Sequence, residues 1–356
     1  ENVSASGATA GGAANNTSRN RVVDDNSNIK FAGEEALGNG TSAWFQIESA
    51  IGTDNNRGTS SGNTPSAAQV AGLQNTATIG TRNTAVGLKG NWGTFLMGKW
   101  DAHYSSHAGV EAAGLADGLA LGSNSLSLLH TLNTTAGTGG GRLDNVVAYV
   151  SPSFSGFSGL FAYSTSPTAN EATTAGILKD SGWNLQLKYS NGPVHVFWSH
   201  LRVENAGSVD TDTTGDRLGA AYTFPMGLKV GLIYDKGKIA LNAAGTNADR
   251  NAWALPISYR TGAHNFSFTY AKANDVKGNS AISLANTNAK MTVLGYEYSL
   301  SKRTSVSASY SQINNDSAGM YDFWHPSSSV GGGLAAAAVA AGADPRKLHF
   351  GVVHKF

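Results

Sequence analysis

The chain has 356 residues, including 44 Gly, 8 Pro and no Cys, and its 25 Lys and Arg against 24 Asp and Glu leave a net charge of +1. That balance gives no electrostatic case for nucleic-acid binding, and the absence of Cys excludes a disulfide framework or a thiolate site. Hydrophobic residues are 40% and charged residues 14%, both low; the remainder is rich in Gly, Ser, Thr, Asn and Ala, a mixture that suits a barrel with a polar inside and an apolar outside. No run of about 18 apolar residues exists, so a membrane-spanning helix is excluded. Membrane spans built from strands need only about ten residues of alternation and stay open. No signal peptide is present and the first residues read as a strand, so the expectation is a mature or truncated start.

Residues 1–10 read as a short, weak strand, followed by a polar loop to Asn26. Ser27 to Leu37 alternates, with Ile29, Phe31 and Gly33 on one face and Lys30, Ala32 and Glu34 on the other. Residues 37–40 (LGNG) form a tight turn, and Thr41 to Ile51 returns with Phe45 and Ile47 opposite Gln46 and Glu48. After a long polar loop to about Gly80, Thr81 to Lys89 and Thr94 to Trp100 flank the turn GNWG. Residues 101–141 are the longest interruption, with a possible short helix in LADGLALGSNSLSLLH; a loop of this length is usually functional.

The remaining strands come as pairs. They are Asp144–Val150 with Phe157–Thr165, Gly182–Ser190 with Val194–Leu201, Arg217–Phe224 with Leu228–Tyr234, Trp253–Arg260 with His264–Ala271, and Met291–Leu300 with Thr304–Gln312. The last dozen residues, PRKLHFGVVHKF, place Leu348, Phe350, Val352 and Phe356 on one face. This final strand is expected to pair back onto the start of the chain and remove both sheet edges.

The count is about sixteen strands. Every second connection is tight and the others are long and polar, as in outer-membrane barrels. Tyr149, Trp183, Tyr189, Phe224 and Tyr298 lie near strand ends, as interfacial aromatic girdles require. A soluble sandwich or propeller would show a dry two-sheet core or blade-length repeats, and no such repeat is present.

Metal and catalytic signatures are weak. His103 and His107 are four apart on an expected loop, His195 and His200 have opposite strand parity, and neither HExxH nor GxSxG occurs. Asp210, Asp212 and Asp216 lack the order of a calcium loop. The expectation is no cofactor, no metal and no enzymatic activity.

Several stretches together resemble the trimeric general porins of β-proteobacteria and Neisseria, within the Gram-negative porins. They are SNIKFAGEEALGNGTSAWFQIES (27–49), RNTAVGLKGNWGTFLMGKW (82–100), RLDNVVAYVSPSFSGFSG (142–159), YEYSLSKRTSVSASYS (296–311) and GVVHKF (351–356). Each is weak alone, and five in the right order are strong. The resemblance implies an all-β transmembrane antiparallel barrel of about 16 strands, with short periplasmic turns, long extracellular loops and a third loop (101–141) folded into the lumen. It implies a homotrimer contacting outer-membrane lipid and lipopolysaccharide, and it gives Phe356 the role of assembly signal.

In that family a basic ladder faces acidic groups on the third loop. Arg82 and Arg142 match two rungs. Asn28 stands where a third Arg is common, with Lys30 two residues on, and Lys99 replaces an Arg. The family's first strand begins about a dozen residues earlier than this chain's, and the third loop lacks the family's usual Pro-Glu-Phe-type segment.

The expectation is one domain over 1–356, with 101–141 as constriction loop and 313–344 as a long extracellular loop carrying an unexplained Gly/Ala run (331–343). The pore-lining set is Arg82, Arg142, Lys99, Lys30, Glu48, Asp101, Glu111 and Asp117, because charges across a constriction set ion selectivity. The function expected is passive diffusion of small hydrophilic solutes and ions, with mild anion preference. The alternatives are a substrate-selective porin, a barrel enzyme with a Ser/His/acid cluster, or a surface-interaction protein.

Overall fold

The computed structural model describes residues 1–23, 27–51, 79–101, 109–111, 124–129, 142–167, 180–206, 210–241, 245–279, 285–323, 330 and 339–356. Their regular structure is almost wholly β. The first nine strands are β1 (Asn2–Ser6), β2 (Asn16–Asn20), β3 (Asn28–Gly38), β4 (Thr41–Ala50), β5 (Thr84–Gly90), β6 (Gly93–Asp101), β7 (Arg142–Val150), β8 (Phe157–Ser164) and β9 (Ser181–Asn191). The rest are β10 (Val194–Ala206), β11 (Asp210–Thr223), β12 (Leu228–Leu241), β13 (Thr246–Thr261), β14 (His264–Ala273), β15 (Lys277–Gly278), β16 (Ala289–Ser299), β17 (Thr304–Asn315) and β18 (Asp344–His354).

All recorded pairings are antiparallel. From β3 to β14 each strand pairs with the next in sequence. The ladder continues through β16, β17 and β18 to β1 and then β2. Its two ends, β2 and β3, are therefore neighbours in sequence. The expected pairing of the last strand with the first is present, with Asn2 opposite Leu348 and Ser6 opposite Asp344.

Alternation sorts the side chains onto two faces. Phe45, Val86, Met97, Val147 and Tyr163 form one cross-strand row, all exposed. Phe350 and Val352 continue this apolar face on β18, where Ala308 and Val306 stand opposite them on β17. The other face carries Glu34, Gln46, Lys89, Asn184, Gln186, Arg217, Asp235, Arg250 and Lys347, with the serines of β17. The turn at one end of β3 and β4 uses Gly38, Asn39 and Gly40, whose φ values of 91°, 51° and 72° suit glycine and asparagine.

Along β10–β18 the polar face is not bare. Ala252, Ala254, Ala271, Ala273 and Ala289 lie there with Met291, Val293 and Ile313. Val110, Leu128 and Leu129 from the 101–141 stretch, and Tyr321, Phe323, Val330 and Val339 from the 313–344 stretch, pack into the same cluster. Small wall residues leave room for these segments, and fully burying each leucine stabilises the docking by roughly 1.5–3 kcal/mol.

Three expectations change. The strand count is eighteen, and the two beyond the expected sixteen are β2 and β15. β2 is a polar strand with no alternation to reveal it, and β15 is a two-residue extension opposite Ala248 and Asp249 of β13. Second, β10 to β13 are much longer than alternation suggested, so 207–209 and 242–245 are short connections. The added residues carry charge and Gly on both faces, which hides the period of two. Third, the expected helix in the long stretch is a 3-10 turn at Asn124–Leu129; the rest of LADGLALGSNSLSLLH lies outside the described residues. So do His103, His107, Asp117 and 331–338 of the Gly/Ala run.

Candidate functional site

The charged residues nominated from sequence converge at the long-loop end of β4–β7. Glu48 stands near the end of β4, directly across from Lys30 on β3. Arg82, just before β5, donates its backbone N–H to the Glu48 carbonyl at 2.9 Å, and its guanidinium pairs with the Glu48 carboxylate. The backbone bond fixes the start of Arg82, so the ion pair follows from the local fold.

Beside them, Arg142 Nε donates to Asn83 Oδ1 at 2.8 Å and lies 3.2 Å from Asp101 Oδ1. Asn83 Nδ2 donates to Asp101 Oδ2 at 2.6 Å. Asn83 therefore clamps the end of β6 to the start of β7, whose register already places Asp101 opposite Arg142. Arg142 also senses the charges of Arg82 and Glu48. Two arginines and two carboxylates thus share one charged patch. The Asp101 side chain is 43% exposed, whereas Arg82, Glu48 and Arg142 are 12–14% exposed, so Asp101 is the member most open to solvent.

Lys30, across from Glu48, is exposed and makes no ion pair among the described residues. The other nominated residues sit elsewhere. Lys99 lies in the row of Met97 and Thr84, on the apolar-face parity, and pairs with Asp144 at 2.9 Å. Glu111 is on the β12 wall, where Lys229 Nζ donates to its carbonyl at 2.7 Å and to that of Gly109. Phe356 is fully exposed, its ring 4.6 Å from that of His354 in an edge-to-face contact. His200 pairs with Asp216 at 2.9 Å, and Asp212 lies 3.6 Å from Arg202, so these acids serve strand-to-strand pairing instead of a calcium loop.

Sequence reasoning missed a second charged set on the same polar face. Arg217 Nε lies 2.9 Å and Arg250 Nη2 3.3 Å from the two oxygens of Asp235, with all three side chains 0–2% exposed. Arg217 Nη2 donates to the Leu129 carbonyl at 2.9 Å, and the Arg250 guanidinium lies over the Tyr321 ring. Lys347 sits over Phe323, 3.6 Å from Glu1, which also accepts from Arg21 at 2.9 Å. Parity along β11, β12 and β18 was the available signal; the register that joins these residues was not.

The polar face therefore has two characters. On the β10–β18 side Arg217, Arg250 and Lys347 are sealed beneath docked segments, and Arg260, near the turn end of β13, is exposed. On the β3–β9 side Lys30, Glu34 and Lys188 are exposed and Lys89 is half-buried; Glu48 shares this face across from Lys30, whereas Asp101 and Arg142, next to Trp100 and Leu143, stand at the strand ends with the opposite parity.

The Gram-negative porin family model matches residues 2–318. An outer membrane porin protein of Bordetella pertussis is 28% identical over 330 residues, covering 82% of this chain and 78% of that protein. Outer membrane porin protein 32 of Delftia acidovorans is 25% identical over 345 residues, covering 93% and 84%. Among solved structures, an anion-selective porin from Comamonas acidovorans superposes with a TM-score of 0.73 at 22% identity, covering 100% of this chain and 96% of that one.

Proposed function

The chain belongs to the Gram-negative porin family, and from that premise we propose how this member conducts. It is an outer-membrane porin, a passive diffusion channel for small hydrophilic solutes and ions, and not an enzyme. The sheet closes as one barrel domain over 1–356, with sixteen wall strands. What supports closure is that the ladder begins and ends on the sequence neighbours β2 and β3 while β1 pairs with β18. The short turns then face the periplasm and the long connections the outside. The polar face is the lumen, and the exposed apolar face meets lipid and lipopolysaccharide. The barrels assemble as homotrimers, and Phe356 acts as the assembly signal, both on the strength of the family.

Val110, Leu128 and Leu129 mark the third loop inside the lumen, docked on the β10–β18 wall. The conducting path runs down the other side, past Arg82, Glu48, Arg142 and Asp101. Lys30 adds positive potential there, while Lys99 stands at the rim. Glu111 stands on the loop side, and Asp117 lies outside the described residues. The observation that carries this reading is the asymmetry of the polar face, sealed on one side and charged and exposed on the other. Field lines concentrate in a narrow lumen between low-dielectric walls. With Lys30 and Lys188 exposed on this wall, the path carries a mild preference for anions.

Liposome swelling with sugars of increasing size tests the channel. Rates that fall steeply with solute size, and do not saturate with concentration, are expected. Saturable uptake of one solute class, with exclusion of others of equal size, would overturn the general-diffusion reading.

A further inference from the structure

A water-facing barrel wall is expected to carry small or polar side chains, yet the inner wall of β4–β8 carries Trp44, Leu96, Trp100, Val150 and Leu160. With Gln186 and Lys188 of β9 they line an alcove of about 230 Å3. The cross-strand register places them together, since Trp44 stands opposite Gly87, Gly87 opposite Leu96, and Val150 opposite Leu160, which faces Gln186. The two indoles meet edge to face, 6.0 Å between centroids at 74°. Gly87 is required here, because a Cβ would stand 2.0 Å from the Phe95 carbonyl oxygen and 2.9 Å from Trp44 Nε1. Trp44 lies four residues, about 13 Å of strand, below Glu48 toward the short-turn end.

Lys188 supplies the polar element. It is exposed and has no ion pair or hydrogen bond with any described residue, whereas Lys89, on β5, pairs with Glu34 at 2.6 Å. An apolar cavity of about 150 Å3 holds a benzene molecule, so this alcove has room for one ring and its carboxylate.

We propose, resting on the porin reading above, that the alcove is a binding subsite for single-ring aromatic carboxylates. The ring packs among Trp44, Trp100, Leu96 and Leu160, and the carboxylate meets the Lys188 ammonium. Aromatic faces and edges favour a flat ring over an alkyl chain, and the uncompensated lysine favours an anion over a neutral analogue.

The test is chloride conductance of single channels titrated with benzoate, acetate and benzyl alcohol, with intrinsic tryptophan fluorescence followed over the same titrations. Benzoate is expected to lower conductance and quench fluorescence saturably in the millimolar range, while acetate and benzyl alcohol do neither. Lys188→Gln, with folding verified by heat-modifiable mobility, is expected to weaken the benzoate effect about tenfold, the loss of one charge-assisted contact. Trp100→Leu should weaken it further. Equal effects of benzoate and acetate, or an unchanged benzoate titration in Lys188→Gln, would overturn the subsite. If the folded protein conducts no KCl the porin reading fails, and the fluorescence titration still decides the alcove by itself.

Discussion

Arg142 and Asp235 represent two different uses of charge on one wall. Arg142 belongs to a patch that includes a solvent-open carboxylate, and the proposed path brings the permeating ion past it. Arg142→Gln should move the reversal potential under a KCl gradient toward the cation side. At about 7 Å a unit charge in high-dielectric surroundings is worth ~0.6 kcal/mol to an anion and as much against a cation, a change of about sevenfold in the anion-to-cation permeability ratio. An unmoved reversal potential would remove Arg142 from the selectivity set.

Asp235, by contrast, holds two buried guanidinium groups. Asp235→Ala should lower unfolding stability by about 3–5 kcal/mol, because both arginines keep their desolvation cost and lose the counter-charge. Denaturant unfolding in detergent measures this, and a loss under 1 kcal/mol would show that water already reaches the pair. The first patch was legible because Arg82, Glu48, Asp101 and Arg142 cluster at strand ends beside a long loop. The Arg217–Asp235–Arg250 set was not. Arg250 fell in an expected loop, and cross-strand register is not written in local sequence.

At the scale of elements, the long stretch between β6 and β7 is held by matching surfaces. Residues 124–129 pack against β13, β14 and β16, where the wall is reduced to alanine. Ala271→Phe should push that segment away from the wall, costing about 1–3 kcal/mol of overpacking and lowering unit conductance. Conductance equal to that of the parent would place the segment away from the conducting path.

Gly231 is the second anchor, since a Cβ there would come 2.6 Å from the Val110 carbonyl oxygen and 3.1 Å from Pro256 Cγ. Gly231→Val should detach residues 109–111, increase voltage-dependent closures and cost about 1.5–3 kcal/mol of stability, the burial of Val110. Quiet, parent-like recordings would show that Lys229 alone retains the segment.

Strand existence was legible wherever one face is apolar, as in Phe266, Phe268 and Tyr270 of β14. It was not legible where β10–β13 extend beyond that zone. There Arg202, Glu204, Asp212 and Asp216 point from the face that had carried apolar residues, and ion pairs replace alternation as the sign of a strand.

The whole molecule separates two tasks across its lumen. The β10–β18 wall carries docked segments and buried ion pairs, and the β3–β9 wall keeps Lys30, Lys188 and Asp101 open to solvent. Alternation and the C-terminal strand made the architecture readable from sequence, whereas the off-centre path depends on which wall residues are small. That consequence emerges only when Ala252, Ala254, Ala271, Ala273 and Ala289 are seen side by side.

Planar-bilayer recording of single channels under a KCl gradient tests this account most directly. The expected result is ohmic steps arriving in threes, with a reversal potential on the anion side that moves toward zero in Arg142→Gln. A folded, heat-modifiable barrel that passes no current, or one whose reversal potential lies on the cation side, would contradict it.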